Sequence, residues 1–410
     1  MVLVYDPSDP AQLADPFPTF RELRQSAPVH YSPPLRGWVA VRYEEVRQAT
    51  LDRRLSPDRL RPFFARLPED QRARVKSLET YLASWAVFRD PPDHTRLRGL
   101  MNRAFTSRAI EAVRPNIRRI VDDLLDGVVE RGEADFIADF AYPLPASVIM
   151  DMLGVPRADL AKVRAWSRDI ALFIGSAVST PDKYDRAEAG TGAMAEFFRG
   201  LLAKRKAAPR EDLMSALIAA RDGEGKLSDD ETVACCILML FGGHETTTNL
   251  IGNGVLALLR DPAALARLGA DPALDASAVE EFLRFDGPSG ALTRVALEDI
   301  ELGGQAIAKG QRLFAMLNAA NRDPKVFADP ERLDLGRADN RHLAFGHGAH
   351  FCLGAPLARA EALVAFRAVL DRLPGLAQGA GELRWMDSFV FRGVEALPIV
   401  FRPTARVQAA

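Results

Sequence analysis

Apolar residues recur at helical spacing along most of the chain, and strand-like alternation is confined to short pieces. The strand candidates are GWVAVRY (37–43), EDIELGGQAIAKGQRLFAML (298–317, with Gly303-Gly304 placed for a hairpin turn) and ALPIVF (396–401). The longest helical pattern begins at LSDDETVA, where Ser228 is an N-cap residue and Glu231 stands three places on, as in a capping box. It runs to Leu259 or Arg260, before Asp261-Pro262. At about 1.5 Å per residue such a helix is roughly 45 Å long, enough to cross a domain. Its first half, VACCILMLF, is apolar all round, as a buried helix is. GGHETTTN (242–249) then breaks the pattern with a charge in an apolar stretch and with two glycines and three threonines, which are poor helix formers. Either one helix ends there and another begins, or a buried helix departs from its own rule for a functional reason.

A second strong pattern, APLARAEALVAFRAVLDRL (355–373), carries Pro356 in the first turn, where proline is tolerated. These patterns predict a mainly α fold with small β-sheets. No low-complexity linker and no fixed-period repeat divides the chain, so a single, mostly α domain fits, although the length alone would permit two.

Composition narrows the class. The 410 residues are 48% hydrophobic and 26% charged, enough for a large core. The net charge of −2 gives no general bias toward nucleic acid or an acidic membrane surface. The opening MVLVYDPSDPAQLADPFPTF has no cationic stretch followed by an apolar one, and no uncharged apolar run reaches membrane-spanning length. Cys235 and Cys236 sit side by side in ACCILML and read as small core residues. Three cysteines so placed make no disulfide framework, which fits a reducing cytoplasm.

The third cysteine, Cys352, lies in FGHGAHFCLG (345–354), just before the helix that Pro356 opens. Amides and the dipole at a helix N-terminus favour a thiolate, and Gly348 and Gly354 let backbone approach the sulfur. Three readings compete: a buried structural cysteine, a zinc site drawing on His342, His347, His350 and Cys352, or a haem held by one thiolate. Zinc sites usually show paired ligands at close spacing, and a second cysteine pair is missing here.

Phe345, Gly348, His350, Cys352 and Gly354 stand in the spacing F-x-x-G-x-H-x-C-x-G. This resembles the haem-binding signature of the bacterial cytochrome P450 family at every fixed position. GGHETT (242–247) resembles that family's oxygen-activation motif, and it falls on the predicted long helix. Glu281 and Arg284 in AVEEFLR resemble the ExxR motif, with Arg332 of DPERLDLGR as the usual third partner. DPPDHTRLR (90–98) resembles a haem-contacting helix.

The resemblance implies the cytochrome P450 fold, with haem b between a long central helix and the loop and helix of the cysteine ligand. It implies Cys352 as the axial ligand, shielded by Phe345 and Leu353, and Gly243 and Gly354 close to the cofactor. His94, Arg98, Arg294 and His350 would hold the propionates. Glu245 and Thr246 would be the acid–alcohol pair that delivers protons. Glu281, Arg284 and Arg332 would form a buried network that holds the haem loop.

The implied reaction is insertion of one oxygen atom of O2 into a lipophilic small molecule, by hydroxylation or epoxidation. A terpenoid, steroid, fatty acyl chain or polyketide fits. Candidate pocket walls are SWAVF (84–88, with Trp85, Val87 and Phe88), WSRDIALFIGSA (166–177), Leu238, Gly242, GALT (290–293, with Gly290, Ala291 and Leu292) and FVF (389–391, with Val390). Small residues Gly290 and Ala291 suggest room near the iron. The signature ends near residue 360 and about fifty residues follow, so no fused reductase is expected. Electrons would come indirectly from NAD(P)H through a separate ferredoxin and ferredoxin reductase, steered by Arg96, Arg103, Arg108 and Arg359. The expected enzyme is a monomer, with no nucleic-acid or membrane partner. A peroxide-driven peroxygenase and a non-catalytic haem sensor or recruitment domain are the alternatives, and the intact Glu245–Thr246 pair argues against both.

Overall fold

The computed structural model describes residues 3–175, 182–220 and 225–406. Its axis is one unbroken helix, Asp229–Arg260, here called the central helix. The capping box is formed: Ser228 Oγ accepts from Glu231 N at 3.2 Å, and Glu231 Oε2 accepts from Ser228 N at 2.8 Å. Gly242 and Gly243 do not end the helix. Its neighbours bury most of its residues between Thr232 and Leu258, and tertiary packing of this kind outweighs weak local propensity.

Helices surround this axis. Pro143–Leu153 and the antiparallel pair Leu160–Gly175 and Lys183–Ala207 pack on one side. Asp275–Phe285, here the ExxR helix, and Ala355–Arg372, the ligand-loop helix, pack on the other. A close approach makes Gly254 necessary there: a Cβ would lie 2.4 Å from the Phe366 ring and 3.1 Å from Phe282. Those two rings meet at 4.7 Å and lock the three helices together.

The β structure lies to one side. A five-stranded sheet runs Val29–Ser32, Gly37–Ala40, Arg312–Met316, Ala291–Ala296, Leu55–Ser56. Gly37–Ala40 and Arg312–Met316 are parallel, and the other pairs are antiparallel. GWVAVRY yields only Gly37–Ala40, because Tyr43 already opens a helix. The run 298–317 splits. Ile300–Leu302 and Gln305–Ile307 form the hairpin, with Gly303 and Gly304 at φ 57° and 76°, as a two-residue turn of this twist requires. Arg312–Met316 leaves it and joins the large sheet. A third sheet pairs Glu133–Asp135, Pro398–Val400 and Ala377–Gln378. Among the described residues no helix is long and apolar enough to cross a membrane.

Candidate functional site

A cavity lies between the central helix and the loop 344–354. Helix Asp93–Ala104 and strand Ala291–Ala296 form further walls. Strand alternation turns Leu292 and Arg294 toward it. Gly346 and Gly348, at φ 70° and 74°, turn the loop back so that Cys352 N donates to Phe345 O at 2.9 Å.

The Cys352 sulfur lines the cavity, just before Ala355–Arg372. Burial pushes its thiol above the ordinary value, although the amides of Gly354 and Ala355 and the charge of Arg98 pull it down. The helix terminus alone therefore does not secure the thiolate. A metal cation at the sulfur would. Cys235 and Cys236 are buried in the core as expected, and burial pushes Cys235 up to about 12. The histidines of the loop do not converge. His342 donates to Glu280 at 3.0 Å, and His350 packs on His94. No cluster of three or more metal-ligating side chains occurs among the described residues, which removes the zinc reading.

One rim of the cavity is cationic. His94 and His350 meet with ring centres 4.0 Å apart. Arg98 donates to Phe351 O at 2.8 Å, and Arg294 donates to Thr293 O at 3.0 Å. None of the four forms an ion pair with a carboxylate among the described residues. Burial pushes Arg294 down to about 10. It also pushes His350 down to about 3, helped by His94, Arg294 and Arg98. Buried like charges without counter-ions are unfavourable, so this rim is built for an anionic group.

The opposite wall is the central helix. A Cβ on Gly242 would meet nothing within 4 Å, so the cavity opens there, whereas one on Gly243 would lie 3.0 Å from Ile149. Thr246 lines the cavity, and its hydroxyl donates to Gly242 O at 3.0 Å. Glu245 does not line it. One residue is about 100° of helix turn, which carries the carboxylate round to His244 Nε2, 3.5 Å away.

Beneath the cavity, Glu281 and Arg284 are fully buried. Arg284 donates from Nε and Nη2 to the two Glu281 oxygens at 2.8 and 2.7 Å. The third guanidinium is not that of Arg332. The turn around Asp329 points the Arg332 side chain into solvent, where it pairs with Asp334. Only its carbonyl accepts from Arg284, at 3.2 Å. Arg337 returns five residues later and donates to Glu281 at 3.1 Å.

The pocket walls also need correction. Ala86, Val87, Leu238, Gly242 and Leu292 line the cavity, but Trp85, Phe88, Ala291 and Val390 do not. Trp85 stacks on Phe88 at 5.9 Å and leans on Phe241 at 5.5 Å, so both rings go to the core. Ala291 packs in the N-terminal cluster, and Val390 packs toward Gly175. Gly290 makes no room near the site: its Cβ would strike Phe389 O at 2.4 Å. None of 166–175 lines the cavity, and Ser176 and Ala177 lie outside the described residues. Arg96 is engaged with Glu231, and Arg359 with Glu280 at 2.6 and 2.8 Å. Arg103 and Arg108 remain exposed.

Glu361 was missed. It is fully buried, borders the cavity, and burial pushes its carboxyl far above the usual range. In sequence it is one glutamate in an amphipathic helix, with nothing to mark it.

The model of the family described as Cytochrome P450 matches residues 178–271 and 272–377. The chain belongs to the cytochrome P450 family. It is 42% identical to cytochrome P450 107B1 of Saccharopolyspora erythraea over 380 residues, 90% of each chain. It is 40% identical to the vitamin D(3) 25-hydroxylase of Pseudonocardia autotrophica, covering 95% of this chain and 94% of that one. The crystal structure of P450BioI in complex with hexadec-9Z-enoic acid-ligated acyl carrier protein superposes with a TM-score of 0.88 at 36% identity, over 96% of this chain and all of that one. The protein is a cytochrome P450 monooxygenase with the fold of that family. Membership implies a haem-thiolate centre. A half-buried cysteine facing an apolar cavity, beside a rim of Arg98, Arg294, His94 and His350 with no carboxylate paired to it among the described residues, fits an iron porphyrin bearing two carboxylates.

Proposed function

We propose that this P450 inserts one oxygen atom of O2 into a lipophilic small molecule, by hydroxylation or epoxidation. A terpenoid, steroid, fatty acyl chain or polyketide suits the largely apolar distal wall of Val87, Ile149, Leu238, Met239 and Leu292. Haem b, when bound, supplies the redox chemistry that activates dioxygen. The chain binds, orients and protonates. Cys352 holds the iron, and the amides of Gly354 and Ala355 steady its sulfur. His94, Arg98, Arg294 and His350 bind the propionates. Phe345, Leu353 and Leu357 keep water from the sulfur side. Gly242 leaves the helix face bare toward the cavity, and the Thr246 hydroxyl hands protons into it, resupplied from Glu245.

The reading takes the whole chain, residues 1–410, as one haem domain, monomeric and cytoplasmic. Electrons reach it from NAD(P)H through a separate ferredoxin and reductase. The exposed Arg103 and Arg108 suit an acidic redox partner.

The observation that carries this reading is the convergence of the Cys352 sulfur and a cationic rim without carboxylates on one cavity under Thr246. Purified protein should carry haem b, and its reduced carbonyl complex should show the red-shifted Soret band of thiolate ligation. Cys352→Ser should abolish that band. A substrate screen by Soret shift, followed by turnover with ferredoxin and reductase, tests the rest. Equal turnover with peroxide alone would favour the peroxygenase.

A further inference from the structure

His244 is fully enclosed, its ring set edge-on to Tyr142 at 5.7 Å and to Phe241 at 6.4 Å. Nδ1 lies 2.6 Å from the Leu240 carbonyl. A carbonyl only accepts, so Nδ1 carries the hydrogen. In the neutral ring Nε2 is then a bare acceptor, and it is buried without a hydrogen-bond partner. The group facing it is Glu245 Oε1 at 3.5 Å, on a side chain only 14% exposed. A carboxylate oxygen and a bare imidazole nitrogen are both acceptors and repel each other. One proton between them turns the contact into a hydrogen bond, as O–H···N or as N–H⁺···O⁻. Either form is net neutral, whereas the pair without that proton carries a full charge in a poorly hydrated wall, which is costly.

We propose that His244 and Glu245 together hold one transferable proton behind Thr246, which the imidazole shares with the carboxyl group and the carboxyl group hands on. This rests on the monooxygenase reading. That one proton passes from Nε2 to Glu245 Oε1, which returns the ring to its neutral form, and Glu245 then hands it toward the Thr246 hydroxyl. A proton from water then restores the pair, and no electrons move. Two further ionisable groups face the pair. Burial, with Glu245 adding, pushes the Tyr142 phenol above its ordinary range, so Tyr142 stays protonated and donates to Leu160 O at 3.5 Å. Arg164 lies over the Tyr142 ring, 4.6 Å from its centre, and is exposed to solvent. His244 is thus a positioning and resupply residue, since it does not border the cavity.

Nitrogen NMR of histidine-labelled protein, recorded on the diamagnetic carbonyl complex, reads the pair directly. The chain has six histidines, and His244→Phe assigns the resonance. In the wild type, Nε2 of His244 should carry a shared, exchange-broadened proton at neutral pH. In Glu245→Gln it should become an ordinary acceptor of an amide N–H. In turnover, His244→Phe should raise the hydrogen peroxide fraction several-fold and increase the solvent isotope effect, with haem content and substrate affinity unchanged. His244→Gln can donate but not relay, and it should uncouple equally. A bare Nε2 at neutral pH in the wild type overturns the proposal whether or not the substituted proteins fold. So does unchanged coupling in His244→Phe. Failure of the monooxygenase reading would show separately, as a missing thiolate Soret band.

Discussion

Arg337 donates from Nε to Glu281 Oε2 at 3.1 Å, while Arg332, five residues earlier, points its guanidinium into solvent. Glu281 has no exposure and takes five donors: two from Arg284, and one each from Arg337, Asn340 and the Asp334 amide. A buried carboxylate in such a network resists loss of any one partner. Arg337→Ala should therefore cost about 3–5 kcal/mol. Arg332→Ala removes an exposed side chain and keeps the carbonyl that Arg284 uses, so it should shift stability by less than about 0.5 kcal/mol. Thermal denaturation with haem content measured in parallel decides. A larger loss in Arg332→Ala than in Arg337→Ala would return the role to Arg332.

Glu280, next to Glu281, ties the ligand-loop helix down from outside. It accepts from Arg359 at 2.6 and 2.8 Å and from His342 at 3.0 Å, and Arg359 covers the Phe345 ring. Burial alone would raise its pKa, but these hydrogen bonds and the charges of Arg359 and His342 more than offset that and bring it to about 2. A carboxyl depressed in the folded state stabilises fully above its unfolded value near 4.5, and the contribution disappears as pH falls through about 2. Glu280 and Arg359 are 30% and 34% exposed, so solvent screening trims the effect to on the order of 2 kcal/mol. Glu280→Gln should unfold at a lower temperature than wild type at neutral pH, and the two curves should converge on acidification toward pH 2. A gap that persists at that pH would mean packing, not charge, is responsible.

The central helix was legible because two independent signals agreed: the capping box at Ser228 and an all-apolar first half. The break at GGHETT left a boundary open as an alternative only because propensity is local, while the burial that carries the helix through is not. The Cys352 loop was legible because its glycines and its place before Pro356 are local features. What failed was orientation across the chain. Trp85 and Phe88 have the right composition for a pocket wall, yet each has a better partner in the other and in Phe241. Arg332 and Arg337 are equally good in type, and only the turn at Asp329 decides which one comes inside. Glu361 was invisible because its character comes from being buried, not from its neighbours in sequence.

Gly242 and Gly243 differ in what stands behind them. Each sits in mid-helix, where replacing Gly by Ala gains up to about 1 kcal/mol of helix propensity. Gly242 faces open space, so Gly242→Ala should stabilise the fold by about 0.5–1 kcal/mol and weaken the Soret response to bulky ligands by filling the cavity. A Cβ on Gly243 would press on Ile149 at 3.0 Å, and Ile149 is itself fully packed. Overpacking there should cancel the gain and leave Gly243→Ala about 1 kcal/mol less stable than wild type. Denaturation curves of the two variants should fall on opposite sides of wild type. The same sign for both would show that the helix shifts bodily to admit the methyl group.

Thr246 is the one hydroxyl of the motif that both borders the cavity and adjoins Glu245 in sequence. Among the described residues its hydroxyl bonds to its own helix alone, to Gly242 O at 3.0 Å, so it ties no other element down. Thr246→Ala loses that bond and gains helix propensity, and the net change in stability should stay within about 1 kcal/mol. The Cys352 loop, the cationic rim and the Glu245–His244 contact are untouched. Haem content, reduction and the spin shift with substrate should therefore match wild type. Only the hand-over of protons into the cavity is removed. With ferredoxin and reductase present, NAD(P)H consumption should continue while product falls and hydrogen peroxide rises, at a ratio altered several-fold. Thr246→Ser keeps a hydroxyl on the same backbone and should restore most of the product, which Ala cannot do. That pair of variants separates a proton role from a packing role, because Ser and Ala leave nearly the same space. Unchanged coupling in Thr246→Ala would take the proton path away from this hydroxyl. Glu361, the buried acid that borders the same cavity beside Thr247, would then be the next group to substitute.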